Sequence, residues 1–264
     1  MKILFFDIDG TLVSFRNHLI PQSAVDAIAS AKAKGHKIII STGRPQAFID
    51  NLSQIESKGC VDGYITMNGA YTFVGNQVIS AHPIPNEDAR HIIMYCREAG
   101  VATIYVSEKD IWLYRPSLLY QSIFNDQLQI KVNPTNSTLD EMELAHKNLY
   151  QITPFLNVSQ EKELSSRLEG SEMARWHPDF LDIMGAGNTK RKGVEAVCRY
   201  FHADISDTIA FGDGGNDIPM LKYAGTGVAM GNASDEVKRV ADYIAPHIEE
   251  DGLSKIMREL GLCD

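Results

Sequence analysis

The chain has 264 residues, 44% apolar and 22% charged, a composition typical of a folded globular protein and not of a disordered one. Acidic residues outnumber basic ones by 34 to 25, which gives a formal net charge of −9. An acidic chain without a basic block argues against a nucleic-acid partner, because binding a polyphosphate backbone requires clustered lysine and arginine. A small anionic ligand held by a few cations is compatible with this charge.

The cysteine pattern predicts a cytoplasmic protein. The four cysteines are scattered and include no CxxC pair, so the sequence favours reduced thiols over a disulfide scaffold or a zinc site. Only four apolar residues lie between Lys2 and Asp7, which is too few for a signal peptide. No apolar run approaches the roughly 18 residues that span a bilayer. We therefore expect no membrane partner, and a monomer is the default expectation.

Strands and helices alternate in the first 82 residues, which is typical of a parallel α/β sheet. The continuous apolar run KIIIS indicates a strand that is covered on both faces. A proline in the first turn and Gly35 at the end predict a helix over 21–34. In chain order, the predicted elements are a strand at 2–6, the helix at 21–34, a strand at 37–41, a helix at 45–58, a strand at 63–67 and a hairpin around Gly75-Asn76.

The pattern changes between residues 83 and 184. Alternating strands such as VATIYV and IWLYR are mixed there with polar helices and most of the prolines. The α/β alternation then returns with helices at 190–202, 216–223, 233–241 and 250–261 and strands at 207–211 and 226–230. The sequence therefore predicts a Rossmann-like α/β parallel-sheet core built from residues 1–82 and 185–264, with an α+β domain inserted at 83–184.

Three predicted strands of the core end in polar sequences, FFDIDGT (5–11), IIISTGR (38–44) and IAFGDGGND (209–217). Ligands of open α/β sheets bind beyond the carboxyl ends of the strands, so these ends converge if the strands are neighbours. Asp7 and Asp9 are two residues apart, and on a strand they share one face. The alternative interpretation is that Asp-Gly is a common turn dipeptide.

The other two strand ends suggest phosphate and metal binding. The hydroxyl and N–H groups of STGR, at the beginning of a helix, are a natural phosphate site, although Ser or Thr there is often a simple cap. Asp213 and Asp217 flank a Gly-Gly-Asn sequence and suggest a hard cation with oxygen ligands. At 4 Å, two like charges repel by about 4 kcal/mol at an effective dielectric constant of about 20. A phosphate therefore needs Mg²⁺ and a lysine to approach these carboxylates.

Together, four short sequences resemble the four motifs of the haloacid dehalogenase superfamily. They are DIDGT, the Thr-Gly-Arg after the second strand, a lysine that opens a later helix, and GDGGND. The NGA at 68–70 and the large insertion between the second and third motifs are similar to the Cof-type phosphatases of that superfamily. The resemblance implies a catalytic core with an inserted cap domain that closes over the site and selects the substrate.

The resemblance also implies roles for single residues. Asp7 is the nucleophile that forms an aspartyl-phosphate, and Asp9 is the general acid and base. Mg²⁺ is held by Asp7, by Asp9 through its backbone carbonyl, and by Asp213. Lys190 is the motif lysine, favoured over Lys192 by its spacing from Asp213, although Arg191 follows it where the superfamily usually has glycine. The residues implied in phosphate or substrate binding are Thr42, Gly43, Arg44, Lys190 and Asn216, with Asp217 in support.

The sequence thus predicts a Mg²⁺-dependent phosphatase that hydrolyses small phosphate monoesters, with sugar phosphates as the expected substrates. Two alternatives stay open. A phosphomutase would return the phosphoryl group to another hydroxyl of the sugar, and a non-catalytic metabolite-binding protein would keep only the pocket. Within the inserted domain, Arg175, Trp176 and His177 either contact the substrate or pack at the edge of the domain.

Overall fold

The structure, a computed structural model, describes residues 1–127 and 139–264, except for the side chain of Trp176. The chain divides into two compact units. The first unit consists of Met1–Gly43, Ile49–Ala81 and Thr189–Asp264, and the second of Arg44–Phe48 and His82–Asn188. The first unit is therefore assembled from three separate pieces of the chain.

Over the described residues, the first unit contains one sheet of eight strands. The strands are β1 (Ile3–Phe6), β2 (Lys37–Ser41), β3 (Gly63–Thr66), β4 (Tyr71–Val74), β5 (Gln77–Ala81), β11 (Thr208–Gly212), β12 (Thr226–Ala229) and β13 (Tyr243–Ile244). Their spatial order is β13-β12-β11-β1-β2-β3-β4-β5. All neighbours from β13 to β3 are parallel, and β4 and β5 continue the sheet antiparallel. The predicted α/β class and the parallel core are confirmed.

Helices cover both faces of this sheet, as the continuous apolar strands require. Val25 and Ile256 belong to the core on one face, and Val194 and Leu221 to the core on the other. The helices of the first face are α1 (Gln22–Ala33), α2 (Ser53–Glu56) and α9 (Gly252–Glu259). The helices of the second face are α6 (Lys190–Phe201), α7 (Ile218–Tyr223) and α8 (Asp235–Lys238).

Strand β1 distributes its side chains between the two cores. Leu4 and Phe6 lie in the core that contains α1, whereas Ile3 and Phe5 lie in the core that contains α6. Because successive side chains of a strand point to opposite faces, the next side chain on the α6 side is that of Asp7. The alternation of β1 therefore directs Asp7 toward the first residue of α6, which is Lys190.

One predicted helix, at 45–58, is wrong. The structure has a 3₁₀ turn at Gln46–Phe48 and then the short helix α2. Residues 49–52 between these two elements are not helical, so the predicted helix is divided into two short pieces. In addition, Arg44–Phe48 is part of the second unit, so the stretch crosses from one unit to the other.

Within its described residues, the second unit contains a five-stranded antiparallel sheet. Its strands, in spatial order, are β7 (Ile111–Tyr114), β6 (Thr103–Val106), β8 (Gln151–Pro154), β10 (Phe180–Gly185) and β9 (Ser171–His177). Its apolar core includes Ile92, Tyr105, Ile152 and Leu164, which come from both helices and strands. The predicted α+β character of the insertion is confirmed. The helices of this unit are α3 (Asn86–Ala99), α4 (Leu118–Tyr120) and α5 (Val158–Ser165).

The approach of α6 to the sheet depends on Gly193. A Cβ atom there would lie 2.8 Å from Ile65 Cγ1 and 2.9 Å from Ile65 Cδ1, closer than van der Waals contact allows. We expect Gly193→Ala to lower the free energy of unfolding by about 1–2 kcal/mol, because overpacking outweighs the better helix propensity of alanine. Urea unfolding followed by circular dichroism measures this change.

The matched control is Gly215→Ala. A Cβ at Gly215 meets no heavy atom within 4 Å, and the residue has no positive φ. We expect its free energy of unfolding to stay within about 0.5 kcal/mol of the wild-type value. Equal stability of the Gly193→Ala variant and the wild type would show that α6 can move away from β3 at no cost.

Candidate active site

The carboxyl ends of β1, β2 and β11 carry the predicted site residues. These strands are adjacent and parallel, with β1 between β2 and β11. The N–H of Asp7 donates to the carbonyl of Phe211 (3.0 Å), and the N–H of Thr42 donates to the carbonyl of Ile65 (2.8 Å). Each polar sequence therefore begins where its strand leaves the sheet, and the three ends lie side by side.

A tight turn follows Asp7. The carbonyl of Ile8 accepts from the N–H groups of Leu12 (3.0 Å) and Val13 (2.7 Å). Asp9 consequently lies in this turn and not on β1. The expectation that Asp7 and Asp9 share one face of a strand therefore does not apply to Asp9. Gly10 is required here for two reasons. Its φ is +87°, and a Cβ would lie 2.7 Å from the carboxyl carbon of Asp213.

Lys190 joins two carboxylates in the interior of the site. Its side chain is fully buried, and Nζ donates to Asp7 Oδ1 and to Asp217 Oδ1, both at 2.5 Å. The other oxygen of Asp217 accepts from the backbone N–H groups of Asp213 (3.0 Å) and Gly214 (2.9 Å). Asp217 therefore connects the lysine to the loop that carries Asp213.

The electrostatics of this cluster disfavour its negative charge. Burial raises the pKa of Asp7 well above its usual range, and neighbouring carboxylates raise it further against the opposing effect of Lys190. Burial also raises the pKa of Asp213 to about 6. For Lys190, burial alone would lower the pKa, but the two carboxylates outweigh it and raise the pKa. The carboxylates around Asp7 are those of Asp9, Asp213 and Asp217.

The donor set fits a divalent cation. Asp7, Asp213 and Asp217 each offer a carboxylate oxygen, and these atoms lie within 4.8 Å of one another. Hard cations such as Mg²⁺ prefer oxygen ligands of this kind. Asp217 is the most deeply buried of the three and is held by Lys190 and two backbone N–H groups, so Asp7 and Asp213 are the better ligands. A cation there would also offset the charge that raises the pKa values of Asp7 and Asp213.

Two residues near Asp213 were not among the predicted site residues. Thr11 Oγ1 donates to Asp213 Oδ1 (2.9 Å). Asn232 Nδ2 donates to the carbonyl of Gly10 (2.8 Å) and lies 3.3 Å from Asp213 Oδ2. Thr11 belongs to the DIDGT sequence, and Asn232 follows β12, another carboxyl end of the same sheet. The position of Asn232 shortly after a predicted strand is the sequence feature that could have indicated it as a site residue.

The phosphate side of the predicted site is built around Gly43. The N–H of Asn68 donates to the carbonyl of Thr42 (3.1 Å), and Asn216 Nδ2 donates to Asn68 Oδ1 (3.0 Å). Thr42 is buried, whereas Asn216 is exposed. The structure thus brings Thr42, Gly43 and Asn216 together, and it adds Asn68, which the sequence singles out only as part of NGA.

Arg44 and Lys192 differ from the other candidates. Arg44 belongs to the second unit, where its Nη1 donates to the carbonyl of Phe48 (3.0 Å). Lys192 lies two residues after Lys190 on α6 and is half-buried. Its backbone N–H donates to the carbonyl of Thr189 (2.9 Å). Arg191 continues the helix regularly and pairs with Glu195 (2.8 Å), so its replacement of glycine does not disturb the turn.

Arg175 and His177 have structural contacts within the second unit. Arg175 pairs with Glu161 (2.6 Å) and donates to the carbonyls of Leu156 (2.7 Å) and Pro178 (2.8 Å). His177 stacks on the ring of Phe180 with a centroid distance of 4.7 Å. These contacts favour the packing interpretation for both. The Trp176 side chain lies outside the described residues.

The comparisons with known proteins show the family of the chain. Residues 4–257 match the model of the haloacid dehalogenase-like hydrolases. The chain therefore belongs to this hydrolase family, in which its relatives are phosphatases. The family expected from the four motifs is confirmed. Within the described residues, no helix has both the length and the apolar character needed to cross a membrane.

Three relatives are similar over nearly the whole chain. YkrA of Bacillus subtilis (strain 168) is 31% identical over 261 residues, which cover 99% of this chain and 98% of YkrA. The pyridoxal phosphate phosphatase YbhA of Escherichia coli (strain K12) is 31% identical over 278 residues, 97% of each chain. The solved structure of BT4131, a sugar phosphatase of subclass IIB, is 46% identical with a TM-score of 0.87, over 99% of this chain and 100% of BT4131.

Proposed function

We propose that the protein is a Mg²⁺-dependent phosphatase that hydrolyses small phosphate monoesters, with sugar phosphates as its substrates, in the cytoplasm. The observation that carries this proposal is the group formed by buried Asp7, buried Lys190 and half-buried Asp213 at the carboxyl end of the sheet. The sugar-phosphate substrate is supported by the similarity to a sugar phosphatase at 46% identity. The four buried free cysteines are compatible with a reducing compartment.

In the first step, a carboxylate oxygen of Asp7 attacks phosphorus, and the bond from phosphorus to the leaving oxygen breaks. Asp9 donates a proton to that oxygen, so that an alcohol leaves and an aspartyl-phosphate remains. Lys190 stays against Asp7 and offsets its charge. Asp9 suits this role because it is more exposed than Asp7 and lies in the adjoining turn.

In the second step, a water molecule attacks phosphorus while Asp9 accepts its proton. The bond between phosphorus and the Asp7 oxygen breaks, so inorganic phosphate leaves and the Asp7 carboxylate is restored. Thr42 and the Gly43 N–H hold the transferred phosphoryl group throughout. Mg²⁺ would be held by Asp7, Asp213 and the backbone carbonyl of Asp9, and it supplies positive charge that balances the phosphate and the carboxylates.

Removal of the metal is expected to abolish hydrolysis. EDTA should reduce phosphate release from p-nitrophenyl phosphate to the background rate, and excess Mg²⁺ should restore it. Added Mg²⁺ should also raise the midpoint of thermal unfolding, because a ligand that binds only the folded state stabilises it. Asp213→Asn should lose most of this Mg²⁺-dependent shift. Full activity in EDTA would contradict a metal-dependent mechanism.

The substrate is tested with a panel of phosphate monoesters. It should contain phosphorylated hexoses and pentoses, flavin mononucleotide, nucleotides and pyridoxal phosphate, since one relative is a pyridoxal phosphate phosphatase. The expected result is the highest kcat/KM on a sugar phosphate, with one inorganic phosphate released for each ester consumed. Isomerised sugar phosphate without phosphate release would instead identify a phosphomutase.

A further inference from the structure

The turn after β3 has an unusual backbone. Met67, Asn68 and Gly69 all have positive φ, at 49°, 52° and 90°. Glycine adopts this region freely and asparagine tolerates it, but it is unfavourable for methionine. For a residue other than glycine, such a conformation persists only where the surrounding structure fixes it.

Both sides of this turn are fixed by residues of the candidate site. On one side, the N–H of Asn68 donates to the carbonyl of Thr42 (3.1 Å). On the other side, Gly69 lies against the backbone of Thr189, so closely that a Cβ would be 3.0 Å from the Thr189 carbonyl carbon. Thr189 immediately precedes Lys190. The turn is therefore held between Thr42 and the beginning of α6.

The turn presents the side chain of Asn68 to Asn216. Asn216 Nδ2 donates one N–H to Asn68 Oδ1 at 3.0 Å. The two amides lie over Gly43, where a Cβ would be 3.3 Å from both amide atoms of Asn68 and 3.6 Å from Asn216 Nδ2. Gly43 thus lets the amide pair approach the backbone, and the hydrogen bond orients the second N–H of Asn216.

We propose that Asn68 is a positioning residue that acts through Asn216. It holds the exposed Asn216 amide beside Gly43, so that the Asn216 and Gly43 N–H groups both meet the oxygens of the phosphoryl group. An exposed side chain must otherwise lose rotamer freedom when it binds the ligand, and a preset orientation removes that loss. This inference rests on the proposed function and deepens it. It assigns to a residue outside the four motifs the orientation of an N–H group that donates a hydrogen bond to the phosphate.

The test is a double-mutant cycle of N68G, N216A and the double variant. Glycine adopts positive φ, so N68G removes the amide without adding backbone strain. We expect N216A to lower kcat/KM for p-nitrophenyl phosphate by about 10- to 100-fold and N68G by about tenfold. The double variant should resemble N216A within about twofold, because Asn68 has no effect once its partner is absent. The inhibition constant for inorganic phosphate should rise in N68G by a similar factor.

Three results would overturn this inference. They are wild-type kinetics of N68G, multiplicative losses in the double variant, and a lower unfolding midpoint of N68G with an unchanged inhibition constant for phosphate. Failure of the proposed function is a separate outcome, seen as a wild type that hydrolyses no phosphate monoester. In that case, calorimetric titration of wild type and N68G with inorganic phosphate in Mg²⁺ still tests Asn68, with weaker binding to N68G expected.

Discussion

Asp7→Asn is expected to lower kcat for phosphate monoesters by at least about 10³-fold. The amide of asparagine has nearly the size and shape of the carboxylate, but it cannot form the phosphoryl bond that the mechanism requires. Lys190 and Asp217 are unchanged in this variant, so the phosphate ester can still bind beside a residue that cannot attack phosphorus. Release of inorganic phosphate from p-nitrophenyl phosphate measures the effect.

The fold of this variant provides the control. Burial and the surrounding carboxylates raise the pKa of Asp7, which means that its charged form destabilises the folded protein near neutral pH. A neutral asparagine removes that cost, so the unfolding midpoint of Asp7→Asn in EDTA should equal or exceed the wild-type value. Turnover by the purified variant, after contaminating phosphatase has been excluded, would show that Asp7 is not the nucleophile.

Lys190→Met is expected to affect both activity and stability. Lys190 is fully buried between Asp7 and Asp217, and its removal leaves two buried carboxylates without their cation. Breaking a buried ion pair in this way costs about 3–5 kcal/mol, measured as the free energy of unfolding in EDTA. The loss of charge next to the phosphoryl group should also lower kcat/KM by at least about 10²-fold.

Lys192→Met is the matched control, because it removes the same charge two residues further along α6. Lys192 is half-buried, and its variant should keep wild-type kinetics and a free energy of unfolding within about 0.5 kcal/mol. Adding Asp7→Asn to Lys190→Met should restore part of the lost stability, since removing both partners of a buried pair costs less than removing one. The opposite pattern, with Lys192→Met inactive and Lys190→Met normal, would show that the motif lysine is Lys192.

The sequence predicted the parts of the fold that depend on local patterns. The continuous apolar runs of β1 and β2 each indicate a buried strand, and both strands lie at the centre of the sheet. Because parallel neighbours place their carboxyl ends at one edge, the convergence of Asp7, Thr42 and Asp213 also followed from the order of elements. The resemblance to the superfamily favours Lys190 over Lys192 through its spacing from Asp213, and in the structure Lys190 contacts Asp7.

The sequence alone does not predict contacts between residues that are far apart in the chain when the residues around them form no distinctive motif. Asn232 follows a short strand, and nothing in its neighbours indicates a bond to Gly10. The strained turn at Asn68 depends on Thr42 and Thr189, which lie far away in the chain. Likewise, the helix predicted at 45–58 is not formed as one element, because its first residues belong to the second unit and the rest to the first.

The position of β1 between β2 and β11 has a consequence for biosynthesis. Lys190 follows Asp7 by 183 residues, and β11 is made later still. At about 5–20 residues per second, the ribosome needs roughly 10–40 s to reach Lys190 after it has made Asp7. The nascent chain therefore carries Asp7 on a strand with one of its two neighbours, while the continuous stretch His82–Asn188 is already complete. Catalytic competence is thus acquired only as the last third of the chain emerges.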